Sequence, residues 1–168
     1  MTRTRDVATQ GGLVLLNTTT LSAVSSVSVS NIFDSTYSQY RISASINASI
    51  ANQTMLFRCR ENTTDKATDY IGGTFEVSYL AGTNATGNNS GTSFVIATNM
   101  NITDPSIATW DIHRTATRCS MTGLGWNYQG AKTYFTGGQN ALMSNFTGFS
   151  IFIGSGTMTG TIKVYGYK

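Results

Sequence analysis

Residues 40–50 alternate strictly between apolar and polar side chains. Tyr40, Ile42, Ala44, Ile46, Ala48 and Ile50 occupy the even positions, and Arg41, Ser43, Ser45, Asn47 and Ser49 the odd ones. In a strand, side chains two residues apart point to the same face, whereas a helix would scatter these apolar residues around its circumference. The segment therefore predicts a long strand with one buried face and one solvent-facing side.

The same period of two recurs along most of the chain. Alternating runs are found at 24–29, 55–60, 75–79, 94–96, 108–113, 149–153 and 162–167. Between the runs lie segments rich in turn-forming glycine and asparagine, at 72–73, 82–84, 87–91, 123–130, 137–138 and 154–156. We predict an all-β fold of about eight to ten antiparallel strands, in which residues 13–168 form a two-sheet β-sandwich of the jelly-roll type.

Composition excludes several other classes of protein. The 168 residues are enough for one domain with its own core, and 40% of them are hydrophobic, which argues against disorder. The residue types that build coiled coils are scarce, and Thr and Ser replace much of the usual charge. No apolar run is long enough for a transmembrane helix or a signal peptide, so we expect neither a membrane partner nor export.

The positive charges are too dispersed to predict nucleic-acid binding. The net charge is only +3, and the densest basic group is Arg58, Arg60 and Lys66, without an interleaved aromatic platform. A solvated outer sheet face or a subunit contact explains this group better. Cys59 and Cys119 could form one disulfide, but without export we expect them to be reduced and buried.

Two groups of side chains are candidates for chemical sites. Asp111 and His113 share a strand face and, together with a serine, could form a Ser–His–Asp arrangement. The chain has no nucleophile-elbow sequence, however. Glu61, Asp65 and Asp69 crowd one loop and could hold Ca²⁺, yet their spacing fits no EF-hand and a polar turn explains them equally well. We predict no catalytic residue, no cofactor, no metal site and no enzymatic activity.

A cluster of aromatic residues surrounds the glycine-rich stretch at 123–130. Its members are Trp126, Tyr128, Tyr134 and Phe135. Aromatic rings on loops bind sugars by stacking, so the cluster is a candidate glycan contact. Core filling and sheet-edge packing are the simpler interpretation.

Both ends of the chain resemble a known family. The segments are GLVLLNTTTLSAVSSVSVSNIFDSTYSQYRI at 12–42, with Phe33, Tyr37, Tyr40 and Ile42 spaced along it, and SGTMTGTIKVYGYK at 155–168. Together they resemble small jelly-roll virion proteins of tailed bacteriophages, especially those of cyanobacterial and other aquatic hosts. Between about residues 60 and 145 only the strand rhythm matches. Members of the family serve as capsid cement (decoration) proteins or as terminal domains of tail fibres, usually as trimers.

The resemblance implies a capsid cement protein that binds the assembled major capsid protein as a homotrimer and stabilises the shell against internal DNA pressure. It would sit on the capsid surface of virions assembled in the host cytoplasm. A short polar arm, residues 1–12, precedes the first strand, and with no shaft ahead of it a tail fibre is less favoured. The arm carries Thr2, Arg3, Thr4, Arg5 and Asp6, which would lie in a groove of the capsid or of a neighbouring protomer. From composition alone, an ordinary frayed terminus is the favoured interpretation of these residues.

Two further sets of residues follow from this hypothesis. Tyr165 and Tyr167 alternate with the apolar residues of the last strand and are candidates for subunit contacts. Under the alternative function, a receptor-binding tip of a tail fibre or spike, Trp126, Tyr128 and Tyr134 would contact host-surface polysaccharide. The sequence does not decide between the capsid and the tail, and it does not fix the oligomeric state.

Overall fold

A computed structural model of the chain describes residues 12–78, 82–100, 102–115, 118–127, 132–141 and 145–168. These residues form thirteen strands. They are β1 (Leu13–Val24), β2 (Ser26–Val29), β3 (Gln39–Ala48), β4 (Gln53–Glu61), β5 (Thr64–Asp65), β6 (Tyr70–Ser78), β7 (Gly82–Gly91), β8 (Phe94–Met100), β9 (Ser106–Arg114), β10 (Cys119–Asn127), β11 (Lys132–Asn140), β12 (Gly148–Ile153) and β13 (Met158–Tyr167).

The strands form two antiparallel sheets packed as a sandwich. The large sheet has the order β1-β13-β3-β9-β10-β11-β6-β7, and the small sheet has the order β2-β12-β4-β5, with β8 also paired to β4. Every strand pair in the two sheets is antiparallel. The predicted all-β two-sheet sandwich is therefore confirmed.

The core lies between the sheets and is built largely from the apolar faces that alternation predicted, although Ile50, predicted on the buried face, lies beyond the end of β3 and is 47% exposed. In β3 the even-numbered residues from Tyr40 to Ala48 are at most 2% exposed. Across the gap, Phe57 of β4 stacks on Phe149 of β12 with ring centroids 5.4 Å apart. Tyr40 is buried without loss of hydrogen bonding, because its hydroxyl donates to the carbonyl of Asp34 at 2.9 Å and accepts from the Asp34 amide at 2.8 Å.

Strand β6 turns its polar side inward, the reverse of the other alternating strands. Thr74 and Ser78 are buried, while Phe75 and Val77 face solvent. Tyr70 belongs to the inward set, and its hydroxyl accepts from the Cys59 amide at 2.7 Å and donates to a loop carbonyl. Because side chains alternate strictly along a strand, the inward position of Tyr70 sends Phe75 and Val77 outward.

Several glycine-rich segments predicted to be turns lie inside strands, and this correction accounts for most of the extra strands. Described residues of 72–73, 82–91, 123–127 and 137–138 belong to β6, β7, β10 and β11. Glycine at these positions lets neighbouring strands approach closely, because it has no Cβ atom. A Cβ at Gly123 would lie 2.1 Å from Cδ1 of Trp110, and one at Gly72 would lie 2.5 Å from the carbonyl oxygen of Gly137.

The two cysteines face each other from different sheets. Cys59 lies on β4 and Cys119 on β10; both are buried and neither forms a disulfide. Burial raises the pKa of the Cys59 thiol, and the neighbouring Cys119 raises it further. Both behave as small buried hydrophobes, as predicted.

We expect Gly123→Ala to lower the free energy of unfolding by about 1–3 kcal/mol, because the added methyl group collides with the buried Trp110 indole. Gly137→Ala is the matched control, since a Cβ there meets only the carbonyl oxygen of Met121, at 3.9 Å. The control should change stability by about 0.5 kcal/mol or less. Urea unfolding followed by Trp fluorescence measures both, and equal losses would contradict the role assigned to Gly123.

Candidate functional site

Six large apolar side chains lie exposed together on the outer face of the large sheet. They come from the neighbouring strands β9, β10, β11 and β6, and we call them the apolar patch: Ile107, Leu124, Trp126, Phe135, Phe75 and Val77. Strand register sets Leu124 opposite Phe135 and Phe135 opposite Phe75. The rings of Phe75 and Phe135 are 6.4 Å apart between centroids. The patch is therefore continuous across four strands.

The patch lies in an uncharged region. The remaining outward positions of β10, β11 and β6 are Ser120, Thr122, Thr133, Gly137, Gln139, Ile71 and Gly73. None of these side chains carries a charge. A protein surface could cover this part of the sheet without desolvating an ion, which is the step that makes burial of charged surface costly.

The size of the patch is typical of binding surfaces. Phe75, Phe135 and Trp126 are 44%, 49% and 44% exposed. At that exposure three aromatic side chains present about 300 Å² of surface, before the aliphatic residues are added. Contiguous apolar areas of about 300–600 Å² are the largest that ordinary monomers expose, and they are often functional.

A polar cluster occupies the other half of the same face. Both carboxylate oxygens of Asp111 accept hydrogen bonds from Arg41 at 2.8 Å, and Oδ1 also accepts from the Tyr167 hydroxyl at 2.7 Å. The Arg41 guanidinium lies 5.3 Å from the centroid of the Tyr167 ring. Hydrogen bonds from Arg41 hold the pKa of Asp111 below its ordinary value of 3.8, although partial burial opposes the shift.

The Asp111 carboxylate, which a catalytic triad would need, is hydrogen-bonded within this polar cluster. Asp111 accepts from Arg41 and Tyr167, and among the described residues no hydrogen bond joins it to the exposed His113.

The three carboxylates considered for Ca²⁺ binding also interact with neighbouring side chains. Asp65 pairs with Arg60 at 2.6 Å, Glu61 pairs with Lys66 at 2.5 Å, and Asp69 accepts from a neighbouring hydroxyl. Within the part of the chain that the structure describes, no group of three or more His, Cys, Asp or Glu residues could hold a metal ion.

The residues predicted to bind partners fall in different places. Tyr165 and Tyr167 lie on the outer face of β13, half-buried and opposite in direction to the buried Ile162. Trp126 belongs to the apolar patch. Tyr134 is buried and its hydroxyl donates to the carbonyl of Thr98 at 2.8 Å, so its prediction as a glycan contact is wrong. Tyr128 and the arm residues Thr2, Arg3, Thr4, Arg5 and Asp6 lie outside the described residues.

Only Trp126 and Phe135 of the apolar patch were singled out from the sequence. A usable signal was present at Tyr134 and Phe135, because adjacent residues of a strand point to opposite faces and two consecutive aromatics cannot both enter one core. Strand β10 carries a similar signal, with Met121 turned inward and Leu124 and Trp126 outward.

The described residues contain no helix of the length and apolar character needed to cross a membrane.

Comparison with protein-family models gives no match, and neither does comparison with curated proteins. Among solved structures, the chain is similar to galectin LEC-6 of Caenorhabditis elegans, with 15% sequence identity and a TM-score of 0.39. The similarity covers 91% of this chain and 99% of the galectin chain. At this identity and TM-score it carries no argument about a ligand, a partner or an activity.

The Asp111 cluster predicts a pH-dependent contribution to stability. Because the folded pKa of Asp111 lies below its ordinary 3.8, the contribution is present above that value and is lost as the pH falls through the folded pKa. We expect Asp111→Asn to cost about 0.5–1 kcal/mol at pH 7, since the pair is partly exposed, and almost nothing once the wild-type carboxyl is protonated. Urea unfolding at a series of pH values from 7 to 2.5 measures the difference. The exposed Asp69→Asn is the control, and a loss independent of pH would contradict the argument.

Proposed function

We propose that the protein is a structural component of a tailed-phage virion: a capsid cement protein that acts as a homotrimer. The observation that carries the proposal is the apolar patch, an uncharged adhesive area on a sheet face. The resemblance of residues 12–42 and 155–168 to phage virion proteins supports the choice of particle.

The apolar patch is assigned to contacts between copies of the chain. A cement protein must stay dissolved until the shell has assembled, and covering the patch removes its hydrocarbon surface from water. A neighbouring copy covers the face from the start, because this uncharged surface can be buried around a threefold axis without burying an unpaired ion. Tyr165 and Tyr167, on the same face, would extend this contact.

Attachment to the shell then uses the surfaces that remain outside the trimer, with the arm at residues 1–12 as the first candidate. Binding only to the assembled, expanded shell stabilises it by mass action against bursting. Three copies of each weak contact act together, so the trimer binds far more tightly than one protomer would.

A receptor-binding tip that recognises host polysaccharide is the second candidate function. The observation that favours it is the exposed Trp126, whose ring could stack on a sugar. With Tyr134 buried and Tyr128 outside the described residues, Trp126 alone supports this reading.

The oligomer is tested by placing a charge in the patch. We expect the wild-type chain to have about three times its 18.0 kDa mass in solution. Phe135→Asp should dissociate it to monomers, because burying an unpaired carboxylate costs several kcal/mol. Light scattering after size-exclusion chromatography measures the mass. Ser22→Asp, at an exposed position on β1 outside the patch, should leave the trimer intact. A monomeric wild-type protein would remove the assignment.

Function is tested on particles. Incubated with empty heads of the phage that encodes it, the protein should bind expanded heads and not unexpanded ones, and electron microscopy should locate it on the shell. Deleting residues 1–12 should leave a folded trimer but lower occupancy. Unchanged occupancy would contradict the role of the arm. Binding to host envelope polysaccharide, abolished by Trp126→Ala and without binding to heads, would replace the cement function with the receptor-binding tip.

A further inference from the structure

The densest basic group of the sequence, Arg58, Arg60 and Lys66, lies on and beside the outer face of the small sheet. Two of its members are neutralised by carboxylates: Arg60 pairs with Asp65 at 2.6 Å, and Lys66 pairs with Glu61 at 2.5 Å. Arg58 forms no ion pair with any described residue. One positive charge of the group is therefore left over at this surface.

The Arg58 guanidinium is held in place without an acid. Its plane lies over the ring of Phe152, 4.6 Å from the centroid, and its Nε donates to the carbonyl of Thr92 at 2.9 Å. The two terminal nitrogens make no hydrogen bond to the residues that the structure describes. Stacking on an aromatic ring and one anchoring bond orient an arginine while leaving its terminal N–H groups for a ligand.

Arg58 lines a shallow concavity of about 410 Å³. Serine hydroxyls supply much of its lining, from Ser25, Ser26, Ser28 and Ser150. Strand register places Ser28, Ser150 and Arg58 side by side across β2, β12 and β4. The hydroxyls of Ser25 and Ser26 make no hydrogen bond to other described residues, so they can donate to a ligand.

Arg60 fixes the floor of the concavity. Its Nη1 lies 2.6 Å from Ser28 Oγ, 2.8 Å from Ser150 Oγ and 2.6 Å from Asp65 Oδ1, so its two N–H groups are shared among these three oxygens, and the Ser150 hydroxyl donates to the same Asp65 oxygen at 2.7 Å. The Asp65 charge is thereby held by Arg60. Arg58, Arg60 and Asp65 together carry a net charge of +1, which favours an anion in the concavity.

We propose that this concavity binds an oxyanion of the sulfate or phosphate type, either free or attached to a polymer. The planar fork of Arg58 matches two oxygens of such a group, and the Ser25 and Ser26 hydroxyls reach others. The volume leaves room for part of the molecule that carries the oxyanion. This site is on the opposite side of the sandwich from the apolar patch, and the proposal does not depend on the cement function.

The first experiment titrates the full chain with sodium sulfate, against sodium chloride at equal ionic strength, and follows backbone amide signals by NMR. Saturable shifts are expected at Ser26, Ser28 and Ser150. Arg58→Gln should weaken sulfate binding about tenfold or more, because it removes a charge-assisted pair of hydrogen bonds. Arg118→Gln is the matched control: it removes the same charge from an exposed arginine on another surface and should change binding less than about twofold.

Ser26→Ala is a second variant that leaves Arg58 in place, and it should weaken binding about threefold to tenfold. Circular dichroism checks that each variant is folded. Dextran sulfate and uncharged dextran separate the sources of the anion: tighter binding of dextran sulfate than of sulfate indicates a polymer, and equal binding per sulfate group indicates the free ion. Equal weakening by Arg58→Gln and Arg118→Gln, or shifts that do not saturate, would overturn the proposal.

Discussion

In a sandwich of two layers, each strand can bury only one of its faces. This constraint governs the described part of the molecule, because the described residues cover the large sheet from one side only, with the small sheet and β8. Where a strand carries apolar side chains on one face, as β3 does, the constraint is satisfied and a solvated outer face results. Where β10 and β11 carry apolar side chains on both faces, one set must remain outside. The apolar patch is the direct consequence.

The same constraint explains why polar groups lie inside at the far end of the large sheet. Under β8, Glu76 pairs with Lys132 at 2.5 Å and accepts from the Thr98 hydroxyl at 3.0 Å. The Thr98 carbonyl accepts from Tyr134 and from Asn127, each at 2.8 Å. Since buried polar groups are costly only when unsatisfied, this network lets β6 keep its polar side inward. The orientation of β6 therefore has two consequences: its apolar side chains are exposed, and its polar side chains are buried with hydrogen-bond partners.

The predictable part of the structure is the part in which one face of a strand is wholly apolar. Residues 40–48 determine their own orientation, and the sandwich follows from a series of such strands. The orientation of β6 could not be predicted, because it depends on hydrogen bonds that the Tyr70 hydroxyl accepts from the Cys59 amide of β4 and donates to the carbonyl of Lys66. The glycines at 72 and 123 were equally ambiguous. In the sequence they are typical of turns, and only the partner across the sheet, Gly138 or Trp110, shows that they permit close strand contacts.

The charge of the candidate anion site could be predicted only in part, because it depends on contacts between segments. The basic group at Arg58, Arg60 and Lys66 was visible as a cluster, but which charge is left over depends on the pairs made by Asp65 and Glu61.

The two outer faces of the sandwich consequently have opposite chemistry. One is apolar and uncharged over three strands, and the other carries arginines, serines and a shallow concavity. Covering the charged face with protein would require desolvating Arg58, whereas covering the apolar face removes hydrocarbon from water. An assembly that buries the apolar patch and leaves the small sheet in solvent is therefore favoured over the reverse. In that orientation the Arg58 concavity stays open to solutes on the exterior of the assembly.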